Sequence, residues 1–271
     1  MTERVALTGV PETMLATLYC KALQSREPSP ILVDDQAERA VERIDYDFSK
    51  LKIDKSTAMS TAIRALYLDR WAKEALAEYP NAVVLHLGCG LDTRFDRLAP
   101  GPGVTWYDVD YPEVIEIRRR LFPERPGHHQ VAASVTDPAW LADVPADRPA
   151  VIVAEGLVQY LTKDEIAELF TRLVAHFPAG VLMFDAWNSL AMRSGSHQKA
   201  IKASGAKLGG FGINDPRVIE TLAPGLRFDA EQTFLDIPEM ATFSKASRTV
   251  FKLMDRVPTL RNMGRLLRYR F

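Results

Sequence analysis

The residues that most constrain the chemistry lie in Val83-Val84-Leu85-His86-Leu87-Gly88-Cys89-Gly90-Leu91-Asp92-Thr93-Arg94. An apolar strand runs into a Gly-x-Gly turn and then into a helix start. About 20 residues after the turn, a second strand, Val104 to Asp110, closes on the carboxylates Asp108 and Asp110. Such an arrangement reads as a nucleoside-cofactor site. Glycines let the main chain approach a ligand, and an acid at a strand end accepts ribose hydroxyls. Asp108 and Asp110 share a strand face, so both are candidates for the ribose, with Asp110 the nearer to the strand end. Thr93 stands where a dinucleotide fingerprint needs its third glycine, and no Gly-Lys-Ser/Thr follows for a phosphate loop. A nucleoside cofactor without phosphates fits better, S-adenosylmethionine foremost.

The elements that must position these groups alternate. The first ~80 residues read as helices, with Leu15, Leu18, Ala22 and Leu23 on one face and Ala37, Ala40, Val41 and Ile44 on another. A longer helix is predicted from about Ser56 to Tyr79, stopped by Pro80-Asn81. Strands are predicted at Ala82–Gly88, Val104–Asp110, Gln130–Val135, Ala150–Ala154 and Val181–Phe184, with later ones at Arg227–Phe234 and Leu266–Phe271. Pro112 suits the first turn of a helix running to about Phe122. Thr162-Lys163-Asp164-Glu165 is a capping box before the stripe Ile166, Leu169, Phe170, Leu173, Val174 and Phe177. Asp215-Pro216 opens a further helix that Pro224-Gly225 ends. This alternation implies an α/β fold, a parallel sheet with helices on both faces and the ligand at the carboxyl ends of the strands.

Composition excludes several classes. The 271 residues are 47% hydrophobic and 25% charged, with a net charge of −1, so no global field points to nucleic acid or an anionic membrane. Cys20 and Cys89 are far apart and lack metal-ligand spacing, which suits a reducing, cytoplasmic setting and no metal. No apolar run approaches the ~18 residues of a membrane span. Residues 241–271 carry eight Lys/Arg against the single acid Asp255. They read as a solvated basic face or as a surface for an acidic partner.

Three longer strings resemble the leucine carboxyl methyltransferase family, and within it the bacterial tetracenomycin-type polyketide O-methyltransferases. They are Leu87 to Phe95, Tyr107 to Val114, and Ala154-Glu155-Gly156-Leu157-Val158-Gln159-Tyr160-Leu161-Thr162. Pro11-Glu12-Thr13, Ile44 to Leu51, Phe184-Asp185-Ala186 and Tyr269-Arg270 resemble the same group. His86 stands where the family usually has Asn, and Gln159 where Met is common.

The resemblance implies a class I methyltransferase: a Rossmann-like, doubly wound, mostly parallel seven-stranded sheet. A helical cap at 1–80 would precede a cofactor-binding domain at 81–271, with a lid insertion at about 186–225. It also implies that Lys21 and Arg64 face the cofactor carboxylate, that Gly88, Cys89 and Gly90 line its main-chain path, and that Asp110 takes the ribose. Ser134 and Val135 match the pair that contacts adenine, with Asp137 as a substitute, and Glu155 matches a residue near the amino group or methyl end.

Methyl transfer from a sulfonium needs an acceptor oxygen in line with the departing sulfur. A carboxylate is already a nucleophile at neutral pH; a phenol needs a base or a lowered pKa. His197, expected on the segment covering the acceptor, is the candidate base or orienting group. Tyr160 is a candidate hydrogen-bond partner for the acceptor, and each is equally readable as a structural residue. His86 reads as a satisfied core histidine, and neither His128-His129 nor His176 suggests a ligand set. Leu208-Gly209-Gly210-Phe211-Gly212-Ile213 reads as a flexible wall of the acceptor site or a plain turn. Trp187, Phe211 and Phe243 would suit a flat aromatic acceptor, or fill core.

These readings predict an S-adenosylmethionine-dependent O-methyltransferase that esterifies a carboxylate of a small molecule. The alternatives are a phenolic or alcoholic hydroxyl, the C-terminal carboxylate of a peptide docked on 241–271, and a cofactor-binding module without catalysis.

Overall fold

In a computed structural model, residues 5–6, 12–195 and 207–271 are described. The short strand β1 (Val5–Ala6) pairs in parallel with β2 (Ile44–Asp45), across helices α1 (Glu12–Ser25) and α2 (Asp35–Arg43). Asp34 caps α2 by accepting the Ala37 N–H at 2.9 Å. Asp54 caps α3 (Lys55–Glu78) through the Thr57 N–H at 2.8 Å. An acceptor at this position satisfies an N–H that the first helical turn leaves open.

Strands and helices then alternate: β3 (Val83–Leu87), α4 (Arg94–Leu98), β4 (Thr105–Asp110), α5 (Pro112–Leu121), β5 (His128–Ala132), β6 (Ala150–Ala154), α6 (Lys163–His176), β7 (Gly180–Trp187), α7 (Ser189–Gly195), α8 (Val218–Leu222), β8 (Arg227–Thr233), α9 (Lys245–Asp255), α10 (Pro258–Arg261) and β9 (Gly264–Arg270). Pro112 opens α5, and both halves of the Thr162/Glu165 capping box form on α6.

The seven-stranded sheet has the order β5-β4-β3-β6-β7-β9-β8. Its first five strands are mutually parallel, and β9 runs antiparallel between β7 and β8. The order reverses between β3 and β6, so the Gly88 turn and Glu155 flank the switch point where such sheets bind ligands.

Side-chain alternation divides the core. Leu85, Ile152, Phe184 and Leu267 pack under Ile166, Leu169 and Phe170 of α6. Val84, Trp106, Val153 and Met183 pack under Ile63, Leu68 and Trp71 of α3. The last helix of the lead-in is thus a layer of the main core, while α1 and α2 bury Leu15, Leu18 and Ala40 against Val114 and Ile117 of α5.

Three boundaries differ from the sequence expectation by three residues. β5 spans His128–Ala132 rather than Gln130–Val135. A turn replaces its end: Ser134 O accepts the Asp137 N–H at 3.0 Å, and Ser134 Oγ accepts the Thr136 N–H at 3.3 Å. β7 runs on to Trp187 because β9 pairs with it as far as Gly264. The helix expected from Asp215 begins at Val218, since Asp215 Oδ1 takes the Arg217 N–H at 2.9 Å in a turn of its own.

Candidate active site

Two acids of β4 have different surroundings. Asp108 is fully buried and holds Arg118 Nη2, His86 Nδ1 (3.0 Å), His128 Nε2 (2.7 Å) and Trp106 Nε1 (2.9 Å). Burial acts to raise its pKa, but Arg118 and the two histidines win and hold it well below the carboxylate range. No access is left for a ribose. Asp110 is half-buried and bound by main chain alone: Gly90 N–H donates to Oδ2 at 2.7 Å and Tyr111 N–H to Oδ1 at 2.8 Å. Burial pushes its carboxyl up, against the pull of those two N–H groups.

Gly88 and Gly90 have φ of +60° and +50°, the left-handed region that side chains disfavour. A Cβ on Gly88 would lie 3.0 Å from Leu157 Cδ1. Cys89 between them is buried, and burial drives its thiol pKa well up, so it stays protonated. Thr93 has a packing role: its Oγ1 donates to Asp34 at 2.6 Å, tying the loop to the lead-in.

Beside this turn lies a buried lattice of four cations and five carboxylates. Lys21 Nζ sits 3.0 Å from Asp92 Oδ2 and 3.4 Å from Glu155 Oε1. Arg64 donates from Nε to Glu155 Oε1 (3.2 Å) and from Nη1 to Asp185 Oδ2 (3.2 Å). Arg94 joins Glu155 Oε2 (2.5 Å), Asp69 (2.6 Å) and Asp92 (3.0 Å). Arg97 joins Asp34, Asp69 and Asp92.

Glu155 is the hub of this lattice. Burial would raise its pKa, but Lys21, Arg64 and Arg94 lower it to about 2. Asp92 is held well below its ordinary value in the same way, by Arg94, Arg97 and Lys21. Its Oδ2 nevertheless accepts no directed hydrogen bond among the described residues. A methionine zwitterion fits this donor set: a carboxylate matches Lys21 and Arg64, and an ammonium matches Glu155 and Asp92.

A cavity of about 150 Å³ adjoins Arg64 and Asp185, with Thr61, Trp187, Phe234 and Arg265 also in its wall. Asp185 Oδ1 accepts the Gly156 N–H at 2.6 Å and Oδ2 takes Arg64, so both of its oxygens are committed. Of the aromatics read from sequence, Trp187 lines this cavity, Phe243 is buried in the α3-side core and Phe211 packs on the α6-side core.

The glycine run is held rather than free. Gly209 N–H donates to Gln159 O at 3.0 Å, and a Cβ there would fall 1.9 Å from Leu161 O. Tyr160 is half-buried, and burial raises its phenol pKa, with Arg64 opposing and Asp185 adding. It is a hydrogen-bond donor at neutral pH. Ser134 Oγ shares a hydrogen bond with Thr136, and Val135 O accepts Arg172 Nη2 at 2.9 Å. His197 lies outside the described residues.

His86 is a satisfied core histidine, 1% exposed. His129 stacks on Tyr107, and His176 Nε2 meets Val144 O at 2.8 Å. Among the described residues no cluster of three His, Cys, Asp or Glu could hold a metal, and no helix is long and apolar enough to cross a membrane. Of the basic C-terminal residues, Arg261, Arg265, Arg268 and Arg270 are ion-paired within the fold.

Sequence reasoning gave no role to Asp92, Arg94, Asp185 or Arg265. A signal was present for Asp185: it is the one charged residue in a strand of otherwise apolar side chains, and a buried charge needs a partner.

The leucine carboxyl methyltransferase family profile matches residues 14–174. The tetracenomycin polyketide synthesis O-methyltransferase of Streptomyces glaucescens is 45% identical over 271 residues, covering 100% of each chain. An S-adenosyl-L-methionine-dependent methyltransferase of Gibberella zeae is 35% identical over 246 residues, covering 83% of this chain and 82% of its own. Among solved structures, a candidate O-methyltransferase from Nostoc punctiforme superposes with a TM-score of 0.51 over 97% of this chain and 70% of that one, at 12% identity, a likeness of fold.

Proposed function

This chain belongs to the leucine carboxyl methyltransferase family and is an S-adenosylmethionine-dependent O-methyltransferase; from that premise we propose that it forms a methyl ester on a carboxylate of a small molecule. The observation that carries the acceptor is the cavity beside Arg64. Two guanidinium groups, Arg64 and Arg265, are in its wall, and its one carboxylate among the described residues, Asp185, is bound to Arg64 and the Gly156 N–H. Both guanidinium groups are themselves ion-paired, and the wall offers no free base. A carboxylate, ionised near pH 4, needs none.

When bound, S-adenosylmethionine supplies a methyl group already activated by its sulfonium. Lys21 and Arg64 would hold its carboxylate, and Glu155 its ammonium. Asp110 would accept the ribose hydroxyls, and Gly88, Cys89 and Gly90 would give its main-chain path. Ser134 and Val135 would border the adenine. The chain's own task is then orientation and exclusion of water. Tyr160 would donate a hydrogen bond toward the acceptor, and Ala186 and Trp187 supply part of the acceptor wall.

Transfer of labelled methyl to a panel of aromatic acids and phenols, followed by mild base, tests this reading. An ester releases the label; an aryl ether keeps it and would move the reading to a hydroxyl acceptor.

A further inference from the structure

Two buried networks meet at one ring. On β4, Asp108 gathers Arg118, His128, Trp106 and His86. Beside the glycine turn, Arg94 stands among Asp69, Asp92 and Glu155. His86, on β3 and buried, bonds into both: Nδ1 lies 3.0 Å from Asp108 Oδ1, and Nε2 lies 3.2 Å from Arg94 Nη1. The partners fix the direction of these bonds. Asp108, held well below the carboxylate range, only accepts, and a guanidinium only donates. The ring is therefore the neutral tautomer with its proton on Nδ1 and a lone pair on Nε2. The reverse tautomer would set Nε2–H against Arg94 Nη1–H, with Asp92 Oδ2 at 3.6 Å, too far to accept. Among the described residues, His86 Nε2 is the aligned acceptor of Nη1. Asp92 Oδ2 lies 3.0 Å from the same nitrogen but out of hydrogen-bond alignment.

We propose that His86 is a positioning residue for the amino-acid end of the cofactor: its bare Nε2 sets the plane of Arg94, and Arg94 sets Glu155, which takes the ammonium. The proposal rests on the cofactor placement above. A neutral acceptor suits this role. It orients a guanidinium without adding a sixth carboxylate that would compete with Glu155 for the ammonium. Asn, usual at this position in the family, is shorter. With its Nδ2 on Asp108, its Oδ1 falls where the ring has Cδ2, and Arg94 Nη1 goes unmet. The brace thus belongs to this chain.

Two variants separate the two bonds. His86→Asn keeps a donor for Asp108 and loses the acceptor for Arg94. His86→Gln sets Oε1 near the place of Nε2 and loses the donor for Asp108. The probes are S-adenosylhomocysteine and 5′-methylthioadenosine, which lacks the ammonium and carboxylate. In calorimetry His86→Asn should weaken S-adenosylhomocysteine about tenfold and methylthioadenosine less than about twofold. His86→Gln should stay within about threefold of wild type for both probes, although it unfolds at lower urea. Equal weakening of both probes by His86→Asn overturns the proposal. So does an unchanged affinity, or a loss of binding that follows urea stability across the two variants.

Glu155→Gln keeps two failures apart. If it leaves S-adenosylhomocysteine affinity unchanged, the ammonium is not at Glu155, and this proposal falls with that placement. If it weakens the affinity and His86→Asn does not, the placement stands and the role of His86 alone falls. Should the histidine variants not fold, the wild type answers. At pH 8 the ¹⁵N spectrum of His86 must show a proton on Nδ1 and none on Nε2, and Nε2 must shift further with S-adenosylhomocysteine than with methylthioadenosine. The reverse tautomer, or an Nε2 resonance that does not tell the two probes apart, overturns the assignment.

Discussion

Asp108 and Asp110 lie two residues apart on β4, yet Asp108 is closed off by Arg118, His86, His128 and Trp106 while Asp110 is held only by the N–H groups of Gly90 and Tyr111. The difference separates stability from binding. Asp110→Ala should weaken S-adenosylmethionine binding by about 1–3 kcal/mol in calorimetry and leave the urea midpoint almost unchanged. Asp108→Asn leaves Arg118 buried without its anion and should cost about 3–5 kcal/mol in urea unfolding. Equal loss of stability in both variants would contradict the division.

This pair also marks what the sequence could and could not reveal. The Gly88-x-Gly90 turn and the acids after it are local, so spacing exposed them. Shared parity left Asp108 and Asp110 both eligible, because what closes Asp108 comes from β3, β5 and α5. His86 and Asp108 are register partners in adjacent parallel strands, a relation visible only once the strand order is known. The Arg94–Glu155 and Arg64–Asp185 pairs span 61 and 121 residues and leave no periodic trace. The insertion of β9 between β7 and β8 was equally hidden, since an apolar strand does not name its neighbour. That insertion is what brings Arg265 to the cavity.

Glu155 makes stability depend on acid. Its folded pKa, about 2, lies below the ordinary 4.5. A depressed carboxylate stabilises fully above the ordinary value, and this contribution fades as pH falls from about 4.5 to about 2. Glu155→Gln should therefore be less stable than wild type at pH 7, with the gap narrowing across that window. Urea unfolding at a series of pH values measures it; a gap independent of pH would remove Glu155 from its place as the anionic hub.

Gly88 carries two separable constraints. Gly88→Ala places a Cβ 3.0 Å from Leu157 Cδ1 at a φ of +60°. Leu157→Ala can relieve the contact but not the conformation. The double variant should stay about 1–2 kcal/mol less stable than Leu157→Ala alone, the cost of a left-handed non-glycine residue. Full recovery in thermal unfolding would show that crowding alone required the glycine.

Gly209 tests whether the glycine run Leu208 to Ile213 belongs to the acceptor side. A Cβ there meets Leu161 O at 1.9 Å, a backbone atom that cannot rotate away. In Gly209→Ala the glycine run must lift from Gln159 O. KM for the acceptor should rise about tenfold, while S-adenosylmethionine affinity holds. A parallel loss of cofactor affinity would place the glycine run at the other ligand.

Tyr160 decides between a donor and a base. Burial raises its phenol pKa, and the negative Asp185 reinforces the rise against Arg64. The hydroxyl is thus protonated throughout the neutral range, when it can give a hydrogen bond but cannot take a proton. Tyr160→Phe removes that one bond and should lower kcat/KM by about 5- to 20-fold, the range of one neutral to charge-assisted hydrogen bond. Between pH 6 and 9 the wild-type and variant profiles should run parallel, because neither contains a titrating Tyr160. If the wild type instead shows a rise in kcat/KM over this range that Tyr160→Phe abolishes, the phenol ionises during turnover. The acceptor would then be a hydroxyl that needs a base, since a carboxylate gives no proton to remove.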